Sequence, residues 1–474
     1  MATPVASHYA PATFRPIYGG IFAGGRMSSA GLAAEDAAVA GSMASNASAL
    51  GAGPAADDAA VGGAFAMQTS VRTALIGDSL TTHLLGYNWS PVFWFNGLNG
   101  GPLQVVANAG ISGNTIADML ARVDNLYSAA TPGLAGLGTL GRIICRWLTN
   151  NARADQPWSS VSADVVAMIA KCKGYCTGKV IIESVPPVGP TEANYAAVNA
   201  RTQEYNTQLA ALCAADPARL LFIDDSANLR NPDGSQTSGY FQADGVHNDG
   251  RATWKEGVDA ATLLATELSG YSSPLSTSSS DVYPTQSQWN DNHVNSGTGG
   301  TTSGGFTGTL PNGYGVGGYG SGFAGTTSIV AASGGDPNTT PWVRVTPTQV
   351  GYTGAGEAIL ITKALTGRSV TSVDPAVLEI MVELRFNSFD TTYFKWSRIQ
   401  IMGGTSSQPI MPDLDLKMGG EVITHSSVVA RIAMPRLAGG VSESGLSIRW
   451  EFATRSAFTG SMGSFDFRCL TVRG

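Results

Sequence analysis

Five short aliphatic runs, each bounded by Gly, Asn or Asp and interleaved with helical stretches, occupy the middle of this 474-residue chain. They are Arg72–Gly77, Leu103–Ala107, Arg142–Leu148, Lys179–Ser184 and Leu220–Asp224. Short runs that are mainly β-branched or aliphatic are expected of parallel strands covered on both sides. The stretches Thr115–Asp124, Val161–Lys171, Glu192–Ala214 and Arg251–Leu268 read as helices between and after them. Alternation at this spacing predicts an α/β fold built on a doubly wound parallel sheet. In such sheets reactive groups gather outside the carboxyl ends of the strands, so the residues that follow each run matter most.

The chain is too long for one core, and its composition changes on either side of this region. Residues 1–66 are Ala/Gly-rich, and Ala33-Ala34-Glu35-Asp36-Ala37-Ala38-Val39 recurs as Ala55-Ala56-Asp57-Asp58-Ala59-Ala60-Val61. Too few large apolar residues stand there for a separate core, so order is expected only through packing on a partner. Residues 67–271 hold the α/β pattern, and 272–325 form a Ser/Thr/Gly-rich linker or lead-in. In residues 326–474 the period becomes two. Leu378, Ile380, Val382, Leu384 and Phe386 alternate with polar neighbours, as do Leu446, Ile448, Trp450 and Phe452. Further strands are expected at Ser328–Ala332, Trp342–Thr346, Tyr393–Met402, Ser426–Ala433 and Ser464–Val472. This pattern predicts an all-β sandwich of jelly-roll type.

Several function classes are excluded by what the chain lacks. A net charge of -7 with no basic cluster argues against a nucleic-acid partner. No run approaches the ~18 apolar residues of a membrane span. The N-terminal residues have neither the basic nor the apolar region of a signal peptide, so export by the usual route is not expected. Cys145, Cys172, Cys176, Cys213 and Cys469 are sparse, and no histidine lies near the three central ones. They are expected as buried thiols, with no metal and no cofactor.

The first run ends in Gly77-Asp78-Ser79-Leu80. A serine that opens a turn at the carboxyl end of a buried strand suits a nucleophile, because backbone N–H groups there can meet a developing oxyanion. Such a serine needs a base and a group to orient that base. Of His8, His83, His247, His293 and His425, His247 closes Asp244-Gly245-Val246-His247 just before the last helix. An Asp three residues ahead can accept from Nδ1 and leave Nε2 to the serine. His83, one helical turn past Ser79, is the competing base, with no carboxylate evident behind it. Gly110, in Asn108-Ala109-Gly110-Ile111-Ser112-Gly113-Asn114-Thr115, permits close backbone approach after the second run, and Asn150 offers an amide donor after the third. Each alone also reads as turn or cap chemistry; gathered at one end of a sheet they read as a site.

These blocks resemble the SGNH/GDSL hydrolase family, named for a Ser, Gly, Asn and His in four sequence blocks. The resemblance covers roughly residues 70–270 and implies a flavodoxin-like sheet. It implies Ser79 as nucleophile, Asp244 and His247 as orienter and base, and an oxyanion hole from Ser79, Gly110 and Asn150. The family's third block is usually Gly-Thr-Asn-Asp; here it is Leu148-Thr149-Asn150-Asn151. The Gly-x-Ser-x-Gly elbow of the other large serine-hydrolase fold is absent. The implied chemistry is ester hydrolysis, which leaves the ester open.

Trp342, Trp396 and Trp450 of the β region are candidates for stacking on sugar rings, or for filling the sandwich. The segments around Gly297–Gly304 and Thr307–Tyr314 look similar to those after hydrolase domains in phage tail proteins. The expected substrate is then an acylated polysaccharide of a bacterial surface, de-O-acetylated by a virion-borne or extracellular enzyme. Residues 1–66 would provide virion attachment, and a homo-oligomer such as a trimer is compatible. The rival readings are a binding or structural virion protein with a vestigial site, and a lipid or short-chain carboxylesterase.

Overall fold

The structure is a computed structural model, and it describes residues 70–82, 91–127, 132–271, 275, 295–334, 336, 338–354, 357–365, 369–370, 377–402, 414–416, 422–435, 443–444 and 447–473. All of these fall in one compact unit, Met67–Gly474. His83 and the N-terminal segment 1–66 lie outside the described residues.

Five parallel strands form the first sheet: β1 (Val71–Gly77), β2 (Leu103–Gly110), β3 (Arg142–Arg146), β4 (Val180–Glu183) and β5 (Leu220–Ile223). Their order is β2-β1-β3-β4-β5, the flavodoxin-like arrangement. Ala74 and Ile76 of β1 face a core completed by α3 (Ile116–Arg122), α5 (Trp158–Tyr175) and α6 (Tyr195–Ala215). Val71 and Leu75 face the opposite core, with α2 (Val92–Leu98) and α7 (Gly250–Leu268). Both faces are covered, which is why the strands carry no polar register. The chain leaves β1 in opposite directions toward β2 and β3, and that switch point opens a crevice at the carboxyl ends.

The C-terminal region is a two-sheet sandwich. One sheet contains β16 (Val422–Pro435), β13 (Val377–Asp390), β20 (Ser464–Arg473) and β10 (Trp342–Val350) in that order. The other contains β15 (Leu414–Leu416), β14 (Phe394–Met402), β18 (Ser447–Thr454) and β11 (Ala358–Ala364). This interleaving of strands between sheets is the jelly-roll topology. The first sheet continues from β10 through β9 (Ala324–Val330) to β7 (Phe306–Gly308), with β19 (Phe458–Thr459) also paired to β10. The second continues from β11 through β8 (Tyr314–Tyr319) to β6 (Thr301–Ser303), and β12 (Ser369–Val370) pairs with β17 (Glu443–Ser444). Residues 301–325 of the expected linker or lead-in are therefore largely sheet.

Two of the three tryptophans considered for sugar stacking are instead interior. Trp342 and Trp450 are each 2% exposed. The guanidinium groups of Arg385 and Arg468 lie over the Trp342 ring, 4.5 and 4.0 Å from its centre. Trp450 packs on Phe452 and donates its indole N–H to Ser397 Oγ at 2.6 Å. For Trp450 an inward register and a partner for the indole favour burial over display. The side chain of Trp396 lies outside the described set.

The jelly roll and the α/β fold share an interior. Along α2, Val92 and Phe95 belong to the α/β core, while Phe93 and Trp94 belong to that of the sandwich. Trp94 meets Trp254 of α7 edge-on at 4.6 Å, and Trp254 meets His425 of β16 at 6.3 Å. Arg431 donates to the Gly101 carbonyl at 3.3 Å across the same boundary. All five cysteines are buried free thiols. Among the described residues no helix is long and apolar enough to cross a membrane.

Candidate active site

Gly77 ends β1, and a Cβ there would lie 2.0 Å from the Arg146 carbonyl, so the position admits only glycine. The Asp78 N–H donates to that same carbonyl at 3.3 Å, and the Thr81 hydroxyl does so at 3.2 Å. Asp78 turns inward, where its Oδ1 accepts the Leu80 N–H at 3.0 Å. Burial pushes its carboxyl pKa up, partly opposed by that hydrogen bond and by the charge of Arg146. The resulting tight turn presents Ser79 as the first residue of α1 (Ser79–Thr82).

The loop before α7 brings His247 to this serine. His247 Nε2 lies 3.0 Å from Ser79 Oγ, and Nδ1 lies 2.6 Å from Asp244 Oδ2. The other Asp244 oxygen accepts the N–H groups of Val246 at 2.9 Å and His247 at 3.0 Å. Partial burial acts to raise the Asp244 carboxyl, but these hydrogen bonds outweigh it and hold the pKa below its ordinary value. Asp244 is therefore the ionised partner that fixes the imidazole tautomer. Asp249, two residues on, caps α7 by accepting the Arg251 and Ala252 N–H groups. Burial raises its carboxyl pKa against those bonds and the nearby charge of Arg455.

The oxyanion side differs from expectation at one position. The Gly110 N–H donates to Asn108 Oδ1 at 2.9 Å, and the residue is buried in β2 opposite Gly77. That donor is already committed, which removes Gly110 from the oxyanion hole. Three residues on, Gly113 is exposed with φ 81°, in a turn closed by the Asn114 N–H to the Ile111 carbonyl at 3.2 Å. No hydrogen bond among the described residues takes the Gly113 N–H. Asn150 opens toward this loop, donating Nδ2 to the Asn114 carbonyl at 3.0 Å and leaving its second amide hydrogen for a ligand.

In the block Leu148-Thr149-Asn150-Asn151 both departures have local structural roles. Leu148 takes φ 75° ahead of α4 (Thr149–Arg153), the left-handed backbone that a glycine adopts without strain. Its fully buried side chain packs in the α/β core. Asn151 accepts the Ile116 N–H at 3.0 Å and donates to Gln156 Oε1 at 2.6 Å. It thereby ties α4 to the start of α3.

Sequence reasoning missed Arg146. Its guanidinium forms a buried ion pair with Glu256 of α7, whose other oxygen accepts the Asn248 amide at 2.6 Å. Glu183 and Asp225 complete this interior cluster. Burial pushes Glu183 well above the carboxylate range and lifts Asp225 to about 6 against the pull of Arg146. The signal was faint: the second of two arginines that bracket an apolar run in β3.

A flavodoxin-like sheet with a hydrogen-bonded Ser–His–Asp chain at its switch point defines a hydrolase of the acyl-transfer type. Residues 75–250 are a domain of the GDSL-like lipase/acylhydrolase family. Among solved structures, the chain is similar to a putative platelet activating factor from Streptococcus pneumonia, at 20% identity over 42% of this chain and 85% of that one, TM-score 0.32. It is also similar to a GDSL-like lipase from Bacteroides thetaiotaomicron, at 17% identity over 45% and 94% of the two chains, TM-score 0.32. A carbohydrate esterase family 3 protein from Talaromyces cellulolyticus gives 16% identity over 42% and 98%, TM-score 0.31. No curated protein matches.

Proposed function

We propose that the chain is a serine esterase with Ser79 as nucleophile, His247 as general base and Asp244 as its orienter. The observation that carries this reading is the continuous chain of 3.0 Å from Ser79 Oγ to His247 Nε2 and 2.6 Å from Nδ1 to Asp244. Ser79 Oγ attacks the ester carbonyl as its proton passes to Nε2. The tetrahedral oxyanion is met by the N–H groups of Ser79 and Gly113 and by the Asn150 amide. His247 then protonates the leaving alcohol. It next takes a proton from water, which hydrolyses the acyl-enzyme and releases Ser79. Hydrolysis of p-nitrophenyl acetate by wild type and Ser79→Ala tests this, and equal rates for the two would sink it.

The substrate in this reading is an O-acetylated bacterial surface polysaccharide, met by a phage tail or receptor-binding protein outside the host cell. What supports it is a jelly roll packed against the catalytic fold, and a weakly charged composition suited to a polymer. Residues 1–66 would attach to the virion, in a homo-oligomer such as a trimer. Acetate release from purified bacterial polysaccharides tests it. Preference for long-chain acyl esters would favour a lipid esterase instead.

A further inference from the structure

Four connections meet at one end of the jelly roll: β8–β9, β10–β11, β13–β14 and β18–β20. Tyr319, the last paired residue of β8, and Tyr352, two residues beyond β10, stand there, 56% and 46% exposed. Tyr393 and Phe458 lie on the same end, half-buried, with ring centres 4.2 Å apart. Beside Phe458 is a pocket of about 370 Å³ lined by Thr346, Thr348, Gln349, Thr459, Gly460 and Ser461. Threonine and serine hydroxyls and the Gln349 amide stand among mainly apolar surface that includes Pro347, with no charged side chain.

This end of the sandwich adjoins the catalytic loop. Arg455 donates its N–H to the Tyr393 carbonyl at 2.9 Å and Nε to the Thr392 carbonyl at 2.6 Å. Its charge acts on Asp249, two residues beyond His247. Trp254, in the first turns of α7, meets His425 near the start of β16 at this same end.

Resting on the esterase reading above, we infer that this end of the jelly roll is a saccharide subsite that holds a neutral stretch of polysaccharide beside the Ser79 centre. Displayed tyrosine rings offer faces to the C–H surfaces of sugars, and the Thr, Ser and Gln groups match ring hydroxyls. A phosphorylated or nucleic-acid ligand would require cations in the lining, and a lipid would require a continuous apolar groove.

The test uses the full chain and a polysaccharide from which wild type releases acetate, chosen from purified O-acetylated bacterial capsular polysaccharides. Replacing Tyr319 and Tyr352 together with alanine should lower the ratio of kcat/KM on that polymer to kcat/KM on p-nitrophenyl acetate by about tenfold or more, the equivalent of one good contact. In a gel containing the polymer, the Ser79→Ala chain should be retarded. Adding Tyr319→Ala and Tyr352→Ala should abolish the retardation. An unchanged ratio and unchanged retardation would overturn the subsite while leaving the esterase reading intact. If wild type cleaves p-nitrophenyl acetate but releases acetate from none of the polysaccharides, the proposed substrate falls and the subsite with it.

Discussion

Arg146 and Glu256 form a fully buried ion pair that links the floor beneath Ser79 to the helix behind His247. The Arg146 carbonyl receives the Asp78 N–H and the Thr81 hydroxyl, while Glu256 receives the amide of Asn248, the neighbour of His247. Both members of the Ser79–His247 pair therefore hang on one interior contact.

Glu256→Ala should strand the Arg146 charge in the interior and cost about 3–5 kcal/mol of stability. Glu256→Gln retains an acceptor for Asn248 and should cost less. Urea unfolding of the two variants against wild type measures the difference.

Asn150→Ala should leave a folded protein whose kcat on p-nitrophenyl acetate falls about 10²–10³-fold, as for loss of one oxyanion donor. The lost bond to the Asn114 carbonyl adds a small stability cost of about 1 kcal/mol. A kcat loss with a nearly unchanged melting temperature is the expected signature.

Leu148→Gly restores the usual residue of its block, yet it should destabilise. Relief of the left-handed backbone returns roughly 1–2 kcal/mol. Removing a fully buried leucine side chain costs more, about 2–5 kcal/mol even for truncation to alanine. Burial wins, and thermal unfolding should show a lower midpoint for the variant.

His425 sets a pH dependence for the join between the two folds. Burial lowers its pKa from 6.5, opposed by a hydrogen bond with the Ser427 backbone. The folded state therefore binds fewer protons than the unfolded one. Its contribution is flat above the unfolded pKa and turns destabilising as pH falls from about 6.5 toward the lower folded value. His425→Gln should flatten this slope in urea unfolding series run between about pH 8 and about pH 5.

The five strands and the long helices of the α/β fold were legible because hydrophobic runs and periodicity persist over enough residues to register. Ser79, Asn150 and the Asp244–His247 pair stood out by their places at strand ends and before a helix. By contrast, α2 gave no such signal: Val92-Phe93-Trp94-Phe95 is apolar all round because it is buried from two sides. Gly110 and Gly113 share one loop, and only the hydrogen bond from Asn108 reveals which N–H is spent. The glycine-rich strand Tyr314–Tyr319 reads as linker because neighbours pack against its backbone instead of side chains. Trp342 and Trp450 were ambiguous because residue type alone does not separate a displayed indole from a buried one.

Phe93 and Trp94 stand in the chain within the catalytic fold, yet they complete the interior of the sandwich. The protein is therefore not modular at residue 271. A fragment cut there would present two large aromatic rings to water and would be prone to self-association. Nor can the sandwich be exchanged as a cassette without re-cutting the surface of α2 and α7. New substrate preferences have an easier route through the loops that carry Tyr319 and Tyr352, while the strands that seat against the α/β fold stay as they are.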